Sequence, residues 1–288
     1  MTGPRTAAQF APGVIDASRV VLVELGVILR SYLNDLALIG GWTPYFLLQQ
    51  HQQEGFDHVG SIDIDLAVHP RIAERGGYAS IAALITARGY QPPQDELADI
   101  FEFRYDRRLV SPYDQKPYTI RVDFLTLEAG DADTERRHRA VQPDLRAFKA
   151  SGCELAFEDP VMVELQAKLP DAGGEASITW QMANLAASLV MKSLALGGRY
   201  KEKDAYDLFY LVRHYQQGPA SAAEALRPLL HLPVVQQACK NLREAFGSLR
   251  ATGPAWVANF NDLREPRARD ILIADVYKTF ERFFQLLS

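Results

Sequence analysis

Two aspartates, Asp63 and Asp65, stand two positions apart in GSIDIDLAVHP, residues 60–70, a stretch that otherwise alternates like a β-strand. Ile62, Ile64, Leu66 and Val68 fall on one face. The two carboxylates share the other, about 6.5–7 Å apart along the strand. Acids this close repel unless a cation lies between them, and a carboxylate is expensive to bury unpaired. Two divalent ions about 3.5–4 Å apart, bridged by such acids, are a device for in-line phosphoryl transfer. Mg²⁺ is the expected metal, with Mn²⁺ as the alternative, because it takes hard oxygen ligands and leaves positions open for substrate phosphates.

A third acid would complete that metal set. TIRVDFLTL, residues 119–127, supplies Asp123 on a strand face shared with Arg121 and Leu125. If the two strands pair, Asp123 stands beside Asp63 and Asp65. Upstream, IGGW places Gly40 and Gly41 at a strand-to-helix turn, where glycine lets backbone approach a phosphate. Thr43 as N-cap and Pro44 at the first helical position start a helix whose N-terminal dipole favours the same anion. Ser61 adds a hydroxyl donor. Lys192 interrupts the apolar helix ANLAASLVMKSLAL, so it must snorkel or find an anionic partner such as a triphosphate. Asp204 and Asp207, three apart, can pair with Lys192, Arg199 or Lys203.

Each feature also has a plainer reading. An Asp-x-Asp strand can face solvent, Asp123 can pair with Arg104, and Lys192 and Asp207 can be surface ion-pair partners. Asp204 is read as structural. The basic run ERRHR at 135–139, with Arg146 and Lys149 nearby, either tracks an RNA backbone or is a solvated loop. Neither His58 nor His69 is nominated as a ligand.

The elements that must position these residues follow from periodicity. Apolar spacing gives a helix over 17–33, a strand over 36–40, a helix from Pro44 to Gln53 and a loop over 54–60. A strand over 61–69 follows, then a helix over 79–89 and strands over 100–108 and 118–128. Residues 130–150 are charged, and strands are expected over 153–158 and 161–169. From about Trp180 the pattern is helical, with helices over 181–197, 202–215, 221–230, 233–248 and 266–287. The expected fold class is α/β (α+β), a mixed-sheet core followed by a mainly helical C-terminal region. The expected division is a core over 1–130, with 1–15 as a flexible tail, connecting strands and loops over 131–180, and helices over 181–288.

Composition narrows the class. With 48% hydrophobic and 23% charged residues the chain can bury a core. A net charge of −5 argues against coating nucleic acid by bulk charge, though not against a local basic patch. Two distant cysteines, Cys153 and Cys239, form no disulfide framework. No apolar run is long enough to span a bilayer and no signal-peptide pattern is present, so a cytoplasmic location without membrane partners is expected.

The Gly40-Gly41 turn, the Asp63-x-Asp65 strand and Asp123 together resemble the nucleotidyltransferase superfamily with a DNA polymerase β-like core. The spacing from Gly41 to Asp63 is longer than in many members. LVMKSLALGGRYKEKDAYDLFYLV, residues 189–212, narrows the resemblance to the AbiEii/AbiGii type, which includes toxins of type IV toxin–antitoxin systems. The resemblance covers roughly residues 36–212. It implies that Lys192 contacts nucleotide phosphates and that Asp207 is a polar partner near the active site. It implies an NTP donor, an RNA acceptor (the tRNA 3′ end in particular), pyrophosphate release, and a toxin or phage-defence role restrained by a cognate antitoxin. The alternatives are transfer to a small molecule or protein side chain, and a nucleotide-binding or interaction module without turnover.

Overall fold

The computed structural model describes residues 6–50, 58–74, 79–93, 103–128, 137–171 and 173–288. The chain divides into two compact units. One, here the sheet unit, takes Ala11–Thr43 and Ser61–Asn184; the other, the helical unit, takes Met1–Phe10, Pro44–Gly60 and Leu185–Ser288. The fold is mixed α/β with a mixed sheet, and the C-terminal region is helical.

The sheet unit opens with helix α1 (Pro12–Ile28), a short 3-10 turn and strand β1 (Leu36–Ile39). Helix α2 (Trp42–Gln50) follows the glycine pair and belongs to the helical unit from Pro44 on; the sheet unit resumes with β2 (Asp63–Val68), α3 (Ile81–Thr86), β3 (Tyr90–Gln91), β4 (Arg104–Val110) and β5 (Pro117–Leu127). The remaining strands are β6 (His138–Gln142), β7 (Leu145–Ala150), β8 (Val161–Lys168) and β9 (Glu175–Met182). Among the described residues these nine strands form one sheet in the order β3-β4-β5-β2-β1-β9-β8, with β7 also on β5 and β6 on β7. β2 and β5 run parallel, whereas β1 and β4 are antiparallel to them.

One sheet face is apolar. Leu38, Leu66, Phe124, Trp180 and Met182 are fully buried there, and α1 packs on β2, β5 and β9 among the strands that carry them. The Trp180 indole N–H donates to the Leu22 carbonyl of α1 at 3.1 Å. At Gly26 a β-carbon would lie 2.5 Å from Ile178 Cγ1 and 3.0 Å from Trp180 Nε1, so α1 sits against the sheet at a distance that only glycine allows. Glu24, in the middle of this apolar helix, is buried and paired. It accepts from Arg107 Nε and Nη2, each at 2.9 Å, and from the Tyr90 hydroxyl at 2.7 Å. Arg107 also reaches Asp171 at 2.9 Å. The opposite face carries the acids, and a 3-10 turn, Cys153–Phe157, packs on β1 and β5.

The helical unit contains α4 (Leu185–Arg199), α5 (Glu202–His214), α6 (Pro219–Leu226), α7 (Pro233–Phe246), α8 (Thr252–Phe260) and α9 (Pro266–Leu287). α5 packs on α4, α8 and α9. Phe246 of α7 stacks on Phe280 of α9 with ring centroids 3.8 Å apart.

Several expected boundaries shift. The first helix starts earlier, at Pro12, because Pro there supplies the φ of a first turn. Residues 138–150, read only as charged, form the β6–β7 hairpin, and 175–182 form β9. Hence the connecting segment 131–180 supplies strands to the same sheet. Residues 153–158, expected as a strand, form a 3-10 turn that Gly152 starts in a left-handed conformation (φ 79°). Helix α8, unanticipated, follows from GPAWVANF, where Gly253-Pro254 looks like a break yet falls in the first turn, where a missing N–H costs nothing. The expected helix end at 51–53, the loop at 54–57, the start of the 100–108 strand and Glu135-Arg136 lie outside the described residues.

Gly26→Ala is expected to destabilise the protein by about 1–3 kcal/mol through overpacking against Ile178 and Trp180. Urea unfolding measures this. An unchanged midpoint would contradict the close approach.

Candidate functional site

The parallel pairing of β2 with β5 puts the three acids on one face. Asp65 is the register partner of Asp123, and Asp63 that of Arg121. Strands pair at about 4.8 Å, so Asp65 and Asp123 are immediate neighbours. β4 extends both rows, with Arg104 opposite Asp123 and Asp106 opposite Arg121. The face therefore reads Asp63–Arg121–Asp106 in one row and Asp65–Asp123–Arg104 in the next. Arg104 grips Asp123 through both oxygens, Nε to Oδ1 and Nη2 to Oδ2, each at 2.7 Å. Burial alone would lower the pKa of the Arg104 guanidinium. The hydrogen bonds and charge of Asp123, with Asp63 and Asp106 beyond, outweigh it and raise the value.

The glycine pair is built against these acids. Gly40 has φ +74°, and a β-carbon there would overlap the Asp65 carboxylate. A β-carbon on Gly41 would lie 2.5 Å from Ser61 Oγ. Ser61 is buried, and its hydroxyl donates to the Asp63 carbonyl at 2.9 Å, so it braces the entry to β2. The helix after the turn starts at Trp42, one residue ahead of the expected Thr43 cap. Thr43 Oγ1 instead donates back to the Gly40 carbonyl at 2.9 Å. The buried Trp42 indole donates to Ser18 of α1 at 3.2 Å. The backbone N–H groups of Gly41, Trp42 and Thr43 thus open the helix, and Pro44 contributes none.

Lys192 and Asp207 belong to the helical unit, where they meet. Asp207, fully buried, accepts from Lys192 Nζ at 2.6 Å, Lys203 Nζ at 2.5 Å and His58 Nε2 at 2.9 Å. Asp204 accepts from Lys192 at 3.2 Å and from Arg199 at 2.8 and 2.9 Å. Three cations thus surround two carboxylates. Burial would raise both acids, but the charge of Lys192 above all holds both below the usual carboxylate range. The two lysines part company. Burial opposes the charge of each, yet Lys192 has two carboxylates and is raised, whereas Lys203 has Asp207 mainly and is lowered.

His58 was not legible as a site residue. Its Nδ1 accepts from the Gly60 N–H at 3.1 Å, which leaves the proton on Nε2 for Asp207. Its ring packs on Tyr206 and Tyr210 at 5.0 and 5.8 Å, and the Val59 N–H donates to the Tyr206 hydroxyl at 3.2 Å. Burial, then the Lys203 charge, push His58 down to about 4. No local pattern announces a contact across 149 residues of sequence. Lys203 was legible, since it stands four residues before Asp207 on one helix.

Among the described residues, no three His, Cys, Asp or Glu side chains are gathered as a metal-ligand group. Nor is any helix long and apolar enough to cross a membrane. No protein-family model matches the chain, and no curated protein matches it. A crystal structure, that of JHP933 from Helicobacter pylori, is similar at a TM-score of 0.41 and 12% identity, over 96% of this chain and 94% of that one. A likeness of this degree carries no functional argument.

Acid is expected to destabilise the protein through the helical unit. An unfolded His58 takes a proton near pH 6.5, the folded one only near 4. Stability therefore falls between those values, by about 3 kcal/mol from this residue. His214, pushed down to about 4 by burial and by Arg213, adds in the same direction. Asp204 and Asp207 contribute a further loss below about pH 3.8, their unfolded value. His58→Gln should flatten the melting temperature between pH 6.5 and 4 relative to the parent; an identical slope would exclude the buried neutral imidazole. Lys192→Ala, which strips Asp204 and Asp207 of their shared cation, should cost about 3 kcal/mol or more in urea unfolding.

Proposed function

We propose that the protein is a metal-dependent nucleotidyltransferase that moves a nucleoside monophosphate from an NTP to an acceptor hydroxyl. The observation that carries this reading is the register of Asp65 with Asp123, beside Asp63 and under a glycine turn that only a β-carbon-free residue can make. The donor set suits Mg²⁺ or Mn²⁺, since all three side chains offer hard oxygens on one face. The Arg104 guanidinium already drawn onto Asp123 is a cation at that face.

Asp63 and Asp65 would hold both ions and Asp123 one of them, exchanging Arg104 for it. Bound there, the ions would offset phosphate charge and acidify the acceptor hydroxyl. The chain's own part is alignment and charge stabilisation. The acceptor oxygen forms a bond to the α-phosphorus, the bond to the bridging oxygen breaks and pyrophosphate departs. Asp123 takes the hydroxyl proton. The N–H groups of Gly41, Trp42 and Thr43 face the triphosphate, with Ser61 bracing the turn behind them. Within its own cluster Lys192 is committed to Asp204 and Asp207, so its part is to fix that cluster. The resemblance to AbiEii/AbiGii-type enzymes favours RNA, tRNA in particular, as acceptor and a toxin or defence role with an antitoxin partner.

One observation favours a second reading. The bidentate Asp123–Arg104 pair and the Asp63–Arg121–Asp106 row form an alternating charge lattice that can serve stability alone. In that case the protein binds nucleotide or a partner without turnover.

Purified protein incubated with total RNA, Mg²⁺ and each α-labelled NTP should label RNA with one donor. Asp63→Ala should reduce that label at least about a hundredfold while keeping the fold, because it removes one of several like charges. Equal labelling by the variant would end the assignment.

A further inference from the structure

The acidic face continues onto an aromatic surface of the sheet unit. β4 and β7 lie end to end along one edge of β5. Arg104 is opposite Asp123, and Phe148 is opposite Leu125, two residues further on. Leu125 shares the Asp123 face, so Phe148 does too, with its Cα about 8 Å from that of Asp123 by strand spacing and rise. His138 on β6 is the register partner of Phe148, and Arg146 on β7 is on the same face two residues before it. The rings of Phe103, His138 and Phe148 form a triangle with centroids 5.1, 5.4 and 5.8 Å apart. The Arg104 guanidinium lies 5.4 Å from the Phe103 ring centre. Phe103 is buried beneath, whereas Phe148 and His138 are half-buried.

The charge of the hairpin is the opposite of the chain's. Residues 137–150 carry Arg137, Arg139, Arg146 and Lys149 against one acid, Asp144, in a protein of net charge −5, and of these four cations Arg146 is the one that alternation puts on the ring face. Half-buried rings within one nucleoside's reach of a candidate catalytic carboxylate, with Arg146 beside them on the same face, have the chemistry of a single-strand platform. Bases stack on the rings regardless of sequence, and cations meet the phosphates.

We infer that the β6–β7 hairpin binds the 3′-terminal segment of single-stranded RNA, with the last base stacked on Phe148 and His138 and its ribose directed towards Asp123. This rests on the proposed transferase reading for the purpose of the site, but not for its binding. The donor NTP also has a base. The acceptor is preferred because Arg146, on the ring face, supplies a cation for the phosphate that joins the last nucleotide to the one before it.

The test is fluorescence anisotropy of a 5′-labelled single-stranded RNA dodecamer on the full chain, in parallel with titration of a non-hydrolysable NTP. Phe148→Leu keeps apolar volume and removes the stacking face; Phe148→Trp keeps the face. The expected result is RNA affinity at least about fivefold weaker in Phe148→Leu and retained in Phe148→Trp, with NTP affinity equal in both. Arg146→Ala should lower the salt slope by about one. RNA binding by Phe148→Leu equal to the parent, or loss of NTP affinity alone, would overturn the inference. Absence of RNA binding by the parent would overturn it as well, while leaving the Asp63→Ala labelling result to judge the transferase. Conversely, Phe148-dependent RNA binding without any nucleotide transfer would keep the platform and remove the enzyme.

Discussion

Two carboxylates set side by side on neighbouring parallel strands cannot be left alone. Asp65 and Asp123 are register partners, and at a strand spacing of about 4.8 Å their mutual repulsion must be offset from nearby. The sheet answers with cations in the same plane. Arg104 closes on Asp123 from β4, and Arg121 separates Asp63 from Asp106. Much of the local architecture follows. β4 must pair with β5 in the register that delivers Arg104. The turn after β1 must be glycine, because Asp65 fills the space a β-carbon would take.

The helical unit solves the same problem in a drier setting. Asp207 has no exposed surface, and its charge survives because two lysines and a histidine donate to it. Such pairing repays desolvation only when hydrogen bonding is complete. Here it is: each oxygen of Asp204 and Asp207 has a cationic or imidazole donor. Burial, and then the charge of Lys203, hold His58 neutral against the pull of Asp207, since a further proton would add a fourth cation to the cluster.

The strands that carry the acids were legible because they alternate. Ile64 and Leu66 against Asp63 and Asp65, and Val122 and Phe124 against Asp123, fix which side of each strand is buried without reference to any other part of the chain. Arg104 was foreseeable as a partner for Asp123, but its bidentate grip depends on a register that no local pattern sets. The β6–β7 hairpin was missed because Arg137, Arg139, Arg146 and Lys149 mask its alternation. β9 was missed because EASITWQM is followed directly by helical sequence, leaving no turn signal at the boundary. His58 was invisible because its value lies wholly in a contact with α5. By contrast, Lys192 in an apolar helix advertised a buried partner, and Asp204 and Asp207 were the candidates at hand.

The Glu24–Tyr90–Arg107 network bears on how this chain can change over generations. Its members come from α1, β3 and β4 and are all buried. Losing Glu24 takes the acceptor from the Tyr90 hydroxyl and leaves Arg107 with Asp171, and losing Arg107 removes two of the three donors on the Glu24 carboxylate. A single substitution at Glu24 or Arg107 is therefore costly, and an apolar replacement costs less when both positions change together. The positions are coupled, and through them the first helix is tied to the sheet edge.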